Sequence, residues 1–314
     1  MTTMRAAQFT AFGSPEVITI HEVSRPSVRP GEVLVRVHAA GINHHDLINR
    51  SGAMKFITGR KFPFGTGLEF AGEVVSGEGF APGQSVWGSV PAMKPHATGA
   101  IADYVVVPSD RVSAAPAAMS ATEAASLVVS TTTAYRGLHE LGAITAGDRV
   151  LIRGAAGGVG LAALQVAVAA RATVTTVSSA RDFETLRGLG ATTTLDYRAL
   201  RVRDIGSYEL IFDTVGSDML SYRRHLARDG RMVTIVFSSL GKMAAIGASA
   251  VFGSRRIRAF SSDAKSDLLD KARELADRGQ LRATIAATYP LADIAQAHRD
   301  QESGGVVGKR VIVV

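Results

Sequence analysis

The run Val150-Leu-Ile-Arg-Gly154-Ala155-Ala156-Gly157-Gly158-Val159-Gly160 joins an apolar strand-like stretch to a glycine-rich turn. An apolar helix-like stretch follows, with Leu161, Leu164 and Val168 spaced for one face. A strand, a small-residue turn and a helix are the context in which a backbone can approach a pyrophosphate closely. The N–H groups at the helix start then meet its charge. Gly160 would let helix and strand pack tightly. The strict dinucleotide fingerprint is broken, because Ala155 stands at its first glycine position. Without its flanks, the same turn would read as a tight turn in an alanine-rich chain.

A site for NAD carries an acidic residue about 20 positions further on, where it accepts hydrogen bonds from the ribose hydroxyls. Here the second strand ends Val177-Ser178-Ser179-Ala180-Arg181. Two hydroxyls and a guanidinium suit a 2′-phosphate, which Arg can pair with in a charge-assisted fork. NADPH is therefore expected over NADH. The plainer alternative is a solvated Arg beside capping serines, with Asp182 in the first helical turn. Tyr197, after the third strand, lies either beside the adenosine or in the core.

The elements needed to hold such a site are readable. Strands are predicted at residues 5–9, 18–20, 32–37, 71–75, 85–87 and 103–107, punctuated by turns such as Arg29-Pro-Gly31 and Ala81-Pro-Gly83. From Ser120 a helical stretch runs through Ala125 and Leu138. Strands at 149–152, 173–177, 192–195, 210–212 and 232–236 follow, helices separating the first three, with an edge strand at 257–260. The tail adds a helix at 266–277, a strand at 284–289, a helix after Pro290 and a strand at 310–314. The fold class is α/β: a β-rich domain at 1–117, a doubly wound parallel sheet at 118–262, and a return at 263–314.

The chain has 314 residues, 46% of them hydrophobic and 20% charged, so it can build a sizeable core and is not disordered as a whole. It contains no Cys, which removes disulfides, thiolate nucleophiles and sulfur-ligated metals. Lys and Arg number 35 against 28 Asp and Glu, a net charge of +7 that welcomes anionic partners. The start, Met1-Thr-Thr-Met-Arg5, lacks a basic region followed by an apolar core, and Gly154 to Ala170 is too short and too glycine-rich to span a bilayer. A cytoplasmic protein with no membrane partner is expected.

Taken in order, these segments resemble the medium-chain dehydrogenase/reductase superfamily, on its zinc-free side of quinone oxidoreductases and enoyl reductases. The resemblance spans nearly the whole chain. It rests on Gly41-Ile-Asn43 with Asp46 and Arg50-Ser-Gly52, Gly67-Leu-Glu69-Phe-Ala-Gly72, Thr133-Ala-Tyr135, the glycine turn, Gly190-Ala191 with Asp196-Tyr197, Phe212-Asp213-Thr-Val-Gly216, and the closing Gly308-Lys-Arg-Val-Ile-Val. It implies a GroES-like catalytic domain beside a Rossmann-fold NADP-binding domain, with the substrate cleft between them. It also implies hydride transfer to a quinone or to the conjugated C=C of an α,β-unsaturated carbonyl. An enoyl-thioester reductase acting on coenzyme A or a carrier protein is the alternative.

Zinc alcohol dehydrogenases place a Cys where Asn43 stands and a His where Leu68 precedes Glu69, so no metal is expected. By the resemblance Asn43 lies beside the nicotinamide ribose and the reacting carbon, a structural turn asparagine being the alternative, and Thr133 faces the nicotinamide. His44 or His45 could supply a proton at neutral pH, but adjacent residues point apart and at most one faces the cleft; a surface or loop role is the alternative for each. The tyrosines of related reductases are absent at Ile48 and Ala53. Asp46 and Arg50, four apart, read as a surface ion pair. The clusters Arg223-Arg224 and Arg255-Arg256 with Arg258 would steer an acidic carrier or form a solvated face. RNA binding is the rival from another class, but no basic–aromatic interleaving supports it. A homodimer through the 257–260 edge is expected, because exposed sheet edges are usually covered or paired. The loop from Gly52 to Gly67 and the segment from Gly241 to Gly253 would shape the pocket.

Overall fold

A computed structural model describes residues 2–92, 98–236, 240–251, 256–261 and 263–314. Gly253 and Arg255, named above, lie outside them. Two compact units are present. One comprises Met1–Val129, Asp263–Asp277 and Ala283–Val314; the other comprises Ser130–Ser262 with Arg278–Arg282. The division falls after Val129, inside the helix Ala121–Tyr135, rather than at residue 117. The segment Arg278–Arg282 groups with the second unit, because Gln165 accepts from the Arg282 N–H (2.7 Å) and donates to its carbonyl (3.2 Å).

The first unit is built on Glu32–Gly41, where Val33, Val35 and Val37 share one apolar face and Arg36 and His38 lie on the other, next to a buried Leu34. It pairs antiparallel with Glu69–Gly77, Tyr104–Pro108 and Lys309–Val313. The sheet continues through Ser85–Ser89 to Val112–Ala114, and Ile285–Pro290 joins Lys309–Val313 in parallel. A smaller sheet holds Ile18–Ser24, Thr3–Phe9 and Phe64–Gly65. Val35, Phe64, Phe70, Ile101, Leu291 and Ile312 meet in one buried core, which ties the C-terminal segment to the N-terminal strands. The helix Ser266–Asp277, at the bounds expected, buries Leu268, Leu269, Ala272 and Ala276 along one stripe.

The second unit is a six-stranded parallel sheet ordered Thr193–Asp196, Thr173–Ser178, Arg149–Arg153, Tyr208–Asp213, Leu226–Thr234 and Ile257–Ala259. This is a doubly wound sheet of Rossmann type. Its order reverses beside Arg149–Arg153, and in open α/β sheets that reversal opens a crevice at the carboxyl ends of the strands. The fifth strand starts at Leu226 and ends at Thr234, earlier than the residues 232–236 expected. The helix Gly158–Ala169 buries Leu161, Ala163, Leu164 and Ala167, the small alanines letting it lie close to the sheet, but Val168 is 38% exposed.

Candidate active site

In the second unit, the turn after Arg149–Arg153 is shaped by backbone requirements. Gly154 has φ +70°, and a Cβ there would meet the Thr214 hydroxyl, which donates to the Arg153 carbonyl at 2.8 Å. Gly157 caps the helix, and a Cβ on Gly160 would collide with the Gly154 carbonyl oxygen. Ala155 is fully buried, and its N–H donates to the Val177 carbonyl at 3.3 Å, so a methyl group is tolerated where the strict fingerprint has glycine. Ala156 completes the turn, and the first helical residues Gly158, Val159 and Gly160 present N–H groups without intrahelical partners.

Arg153 and Asp213 form a buried ion pair at 3.0 Å, with side chains 5% and 0% exposed. Arg153 also donates to the Ser217 carbonyl (2.7 Å) and stacks over Tyr222, with its guanidinium 3.7 Å from the ring centroid. The Asp213 carboxylate accepts the N–H groups of Val215 and Gly216. A charged strand residue thus holds the Thr214–Ser217 loop beside the glycine turn. The family motif around Asp213 marked the loop, but nothing in the sequence marked Arg153 as its partner.

At the end of Thr173–Ser178, Ser178 and Ser179 are both buried. The Ser179 N–H donates to Asp182 at 3.2 Å, which turns that carboxylate to capping, and Asp196, beside Ser178 on the next strand, accepts the Arg198 N–H at 3.0 Å. Arg181 is 59% exposed, and its Nε lies 3.5 Å from the same carboxylate. Arg198, which the sequence reading did not single out, donates to the Ser179 hydroxyl at 2.9 Å and lies over the Tyr197 ring at 4.9 Å. Tyr197 is 55% exposed and is not a core residue. The parallel register of Ser178 with Asp196 brings Tyr197 and Arg198 to the serines. Thr133 is buried in its helix, next to Ser130 and Thr131, whose hydroxyls lack partners among the described residues.

In the first unit, Asn43 caps the helix His44–Arg50, and its N–H donates to Asp46 at 2.8 Å. The Asn43 side chain sits in a buried cluster. Its Nδ2 donates to Glu69 Oε1 at 2.9 Å, and its Oδ1 accepts from Lys309 Nζ at 2.7 Å. Lys309 Nζ also donates to Glu69 Oε1 (2.6 Å) and to the Ile42 carbonyl (2.9 Å). The second Glu69 oxygen accepts the Val129 N–H at 2.6 Å. A Cβ on Gly41 would occupy the space of the Glu69 carboxylate, which explains glycine at that position.

Asp46 and Arg50 are a correction. Both are buried and they do not pair with each other. Asp46 accepts N–H bonds from Asn43 and Gly67, and burial, only partly offset by these bonds and by Lys309, pushes its carboxyl up to about 7. Arg50 donates to the Gly13 carbonyl and pairs with Glu302. Spacing of four predicts a shared helix face, not whether that face meets solvent. His44 is exposed, whereas His45 lines a cavity of about 20 Å³ with Asp46, Asn49, Thr58, Leu68 and Val90. That is room for one water. Both His45 ring nitrogens and Asn49 Oδ1 are buried without partners among the described residues. Burial, and then the neighbouring His44, lowers the His45 pKa, favouring the neutral ring.

The fold and the glycine turn define a nicotinamide-dependent oxidoreductase. Residues 29–117 match the alcohol dehydrogenase GroES-like domain, and residues 189–312 match the zinc-binding dehydrogenase family. The chain is 31% identical to the human "NAD(P)H oxidoreductase RTN4IP1, mitochondrial", over 100% of this chain and 90% of that protein. It is 28% identical to the "2-methylene-furan-3-one reductase" of Solanum lycopersicum, over 98% of this chain and 79% of that one. The solved quinone oxidoreductase from Coxiella burnetii superposes with a TM-score of 0.90 at 28% identity, covering 100% of both chains. The chain belongs to the medium-chain dehydrogenase/reductase family, with a GroES-like and a Rossmann-type unit. No helix among the described residues is long and apolar enough to cross a membrane.

Proposed function

We propose that this protein is an NADPH-dependent, zinc-independent reductase of quinones or of the conjugated C=C of α,β-unsaturated carbonyls. The observation that carries the reading is the end of Thr173–Ser178, where the Ser179 hydroxyl meets the guanidinium of Arg198, Arg181 follows, and the two nearby carboxylates are engaged by backbone N–H groups, Asp182 by that of Ser179 and Asp196 by that of Arg198. These groups suit a 2′-phosphate, whereas an NAD site offers a free acid to the ribose. Gly154, Gly157, Gly158 and Gly160 would hold the pyrophosphate, Tyr197 the adenosine and Thr133 the nicotinamide side. When bound, the nicotinamide supplies a hydride.

Lys309 supports the absence of zinc. Its ammonium bonds Asn43 and Glu69 at 2.7 and 2.6 Å, so the side chain at one of the family's metal-ligand positions is already engaged by a cation, and Leu68 at the other offers no donor. The acceptor must then be activated by its own conjugation and by hydrogen-bond donors. Asn43 retains one amide N–H beyond its bond to Glu69, and that hydrogen would steady the oxygen that gains charge. His45, whose ring nitrogens have no partner among the described residues, is our candidate to relay the proton, giving up one ring N–H as its other nitrogen takes a proton from a water in the adjoining cavity. His44, being exposed, is the weaker candidate. The names of the relatives, a furanone reductase and quinone oxidoreductases, support this class of acceptor.

The test follows NADPH oxidation with a simple quinone, a small enone and an enoyl thioester, before and after exhaustive chelation. Turnover of the first two, unchanged by chelation and lowered at least tenfold by Asn43→Ala, is expected. Strong preference for the thioester would move the assignment to a biosynthetic enoyl reductase. Activity lost on chelation and restored by zinc would overturn the zinc-free mechanism.

A further inference from the structure

The segment Ser51 to Leu68 holds Lys55, Arg60 and Lys61 and no acidic residue. At its tip the short helix Lys55–Thr58 turns Phe56 and Ile57 outward, 89% and 62% exposed, the two most exposed large hydrophobic residues among those described. The base of the tip is held firmly. Phe62 and Phe64 pack against Phe9 and Phe12, with ring centroids 5.0–6.1 Å apart. Thr58, on the same turn as Phe56, is buried and lines the cavity beside His45. Lys55 Nζ lies 5.5 Å from the Phe56 ring, Arg60 and Lys61 are exposed, and none of the three is paired with a carboxylate among the described residues.

An apolar pair standing in water, with one cation before it and two after it, matches a partner that is anionic at its surface and apolar beneath. The net charge of +7 acts in the same direction at longer range. We propose that this tip seats the protein on an anionic lipid surface, with Phe56 and Ile57 entering the boundary between headgroups and acyl chains and Lys55, Arg60 and Lys61 meeting lipid phosphates. This association is peripheral and needs no spanning helix. Where the reductase reading holds, docking brings the Thr58 wall of the cavity toward the bilayer, and the substrate class becomes a lipophilic, membrane-dissolved quinone or enone.

The experiment is co-sedimentation of the full chain with vesicles of phosphatidylserine in phosphatidylcholine, and with phosphatidylcholine alone. Because it measures binding without turnover, its failure is separate from failure of the reductase assignment. Binding to the anionic vesicles, released by added salt, is expected. Phe56→Ser with Ile57→Ser should weaken it at least tenfold, and Lys55→Gln, Arg60→Gln and Lys61→Gln by about fivefold each. Trp87, the only tryptophan, is fully buried, so a Phe56→Trp variant reports the tip separately and should shift to the blue on binding. The proposal is overturned if the wild type ignores anionic vesicles, if the variants bind as well as it does, or if Phe56→Trp emission is unmoved. It is also overturned if Phe56→Ser with Ile57→Ser dissociates an oligomer while vesicle binding is absent, which would make the tip a contact between copies.

Discussion

Replacing Lys309 by Met tests the buried polar cluster most severely. The ammonium spends all three of its hydrogens, on Ile42, Asn43 and Glu69 at 2.9, 2.7 and 2.6 Å, and the Glu69 side chain is 0% exposed. Methionine is close in volume, so little packing is lost. What remains is a carboxylate without its countercharge and an Asn43 carbonyl without its donor. Breaking one partner of a buried ion pair costs about 3–5 kcal/mol. For a protein of this size that corresponds to a melting point lower by on the order of 10 °C. Trp87 lies in the strand Ser85–Ser89 of the same unit, so urea unfolding followed by its fluorescence reads the affected part directly. Adding Glu69→Gln to Lys309→Met should recover part of the loss, because the orphan charge is removed, whereas Glu69→Gln alone should be destabilising. A Lys309→Met protein within about 1 kcal/mol of wild type would refute the cluster as described.

Other consequences are independent of it. His298 is fully buried, with both ring nitrogens unpartnered among the described residues, and burial followed by the neighbouring Arg50 depresses its pKa to about 3 from 6.5. The unfolded chain therefore binds the proton first, and stability is lost as pH falls from 6.5 toward 3, by about 2 kcal/mol at about pH 5. His298→Leu should remove that part of the slope in urea midpoints compared near pH 7 and pH 5; an unchanged slope would contradict it. Arg198→Glu or Arg181→Glu should raise the NADPH dissociation constant at least tenfold while barely changing that of NADH, as measured by calorimetry. Equal wild-type affinities for the two cofactors would remove the basis for the NADPH assignment. The strand Ile257–Ala259 stands at one edge of the six-stranded sheet, and we propose that a second copy pairs there; light scattering that finds only a monomer at micromolar concentration would contradict this.

What could be read from the sequence was set by the range of each interaction. The strand–turn–helix at Arg149–Ala169 was legible because the turn's demands are local: Gly154 takes a positive φ, and a Cβ on Gly160 would meet Gly154 and Ala155. The helix Ser266–Asp277 was legible because its apolar stripe has helical period. The Lys309–Glu69 pair joins residues 240 positions apart, and Arg153–Asp213 joins residues 60 apart, and no local pattern announces either. Arg198 was missed for a related reason: only the register of Ser178 with Asp196 brings it to Ser179. Of the adjacent histidines, spacing showed that at most one could face inward, but not which. Packing of the short helix His44–Arg50 buries the His45 nitrogens and leaves His44 outside. Exposure at Phe56 had no sequence signature, since an aromatic in a loop is as readily buried, as Phe64 is.

The central claim is hydride transfer from NADPH to a conjugated carbon without a metal. Its most direct measurement is a single turnover of the chelated enzyme with NADPH carrying deuterium at its transferable position and a small enone, followed by mass and NMR analysis of the product. The account predicts one deuterium at the β-carbon, a solvent proton at the α-carbon, and a rate that drops in Asn43→Ala. Deuterium bound instead to the carbonyl carbon, or no transfer until zinc is added back, would contradict it.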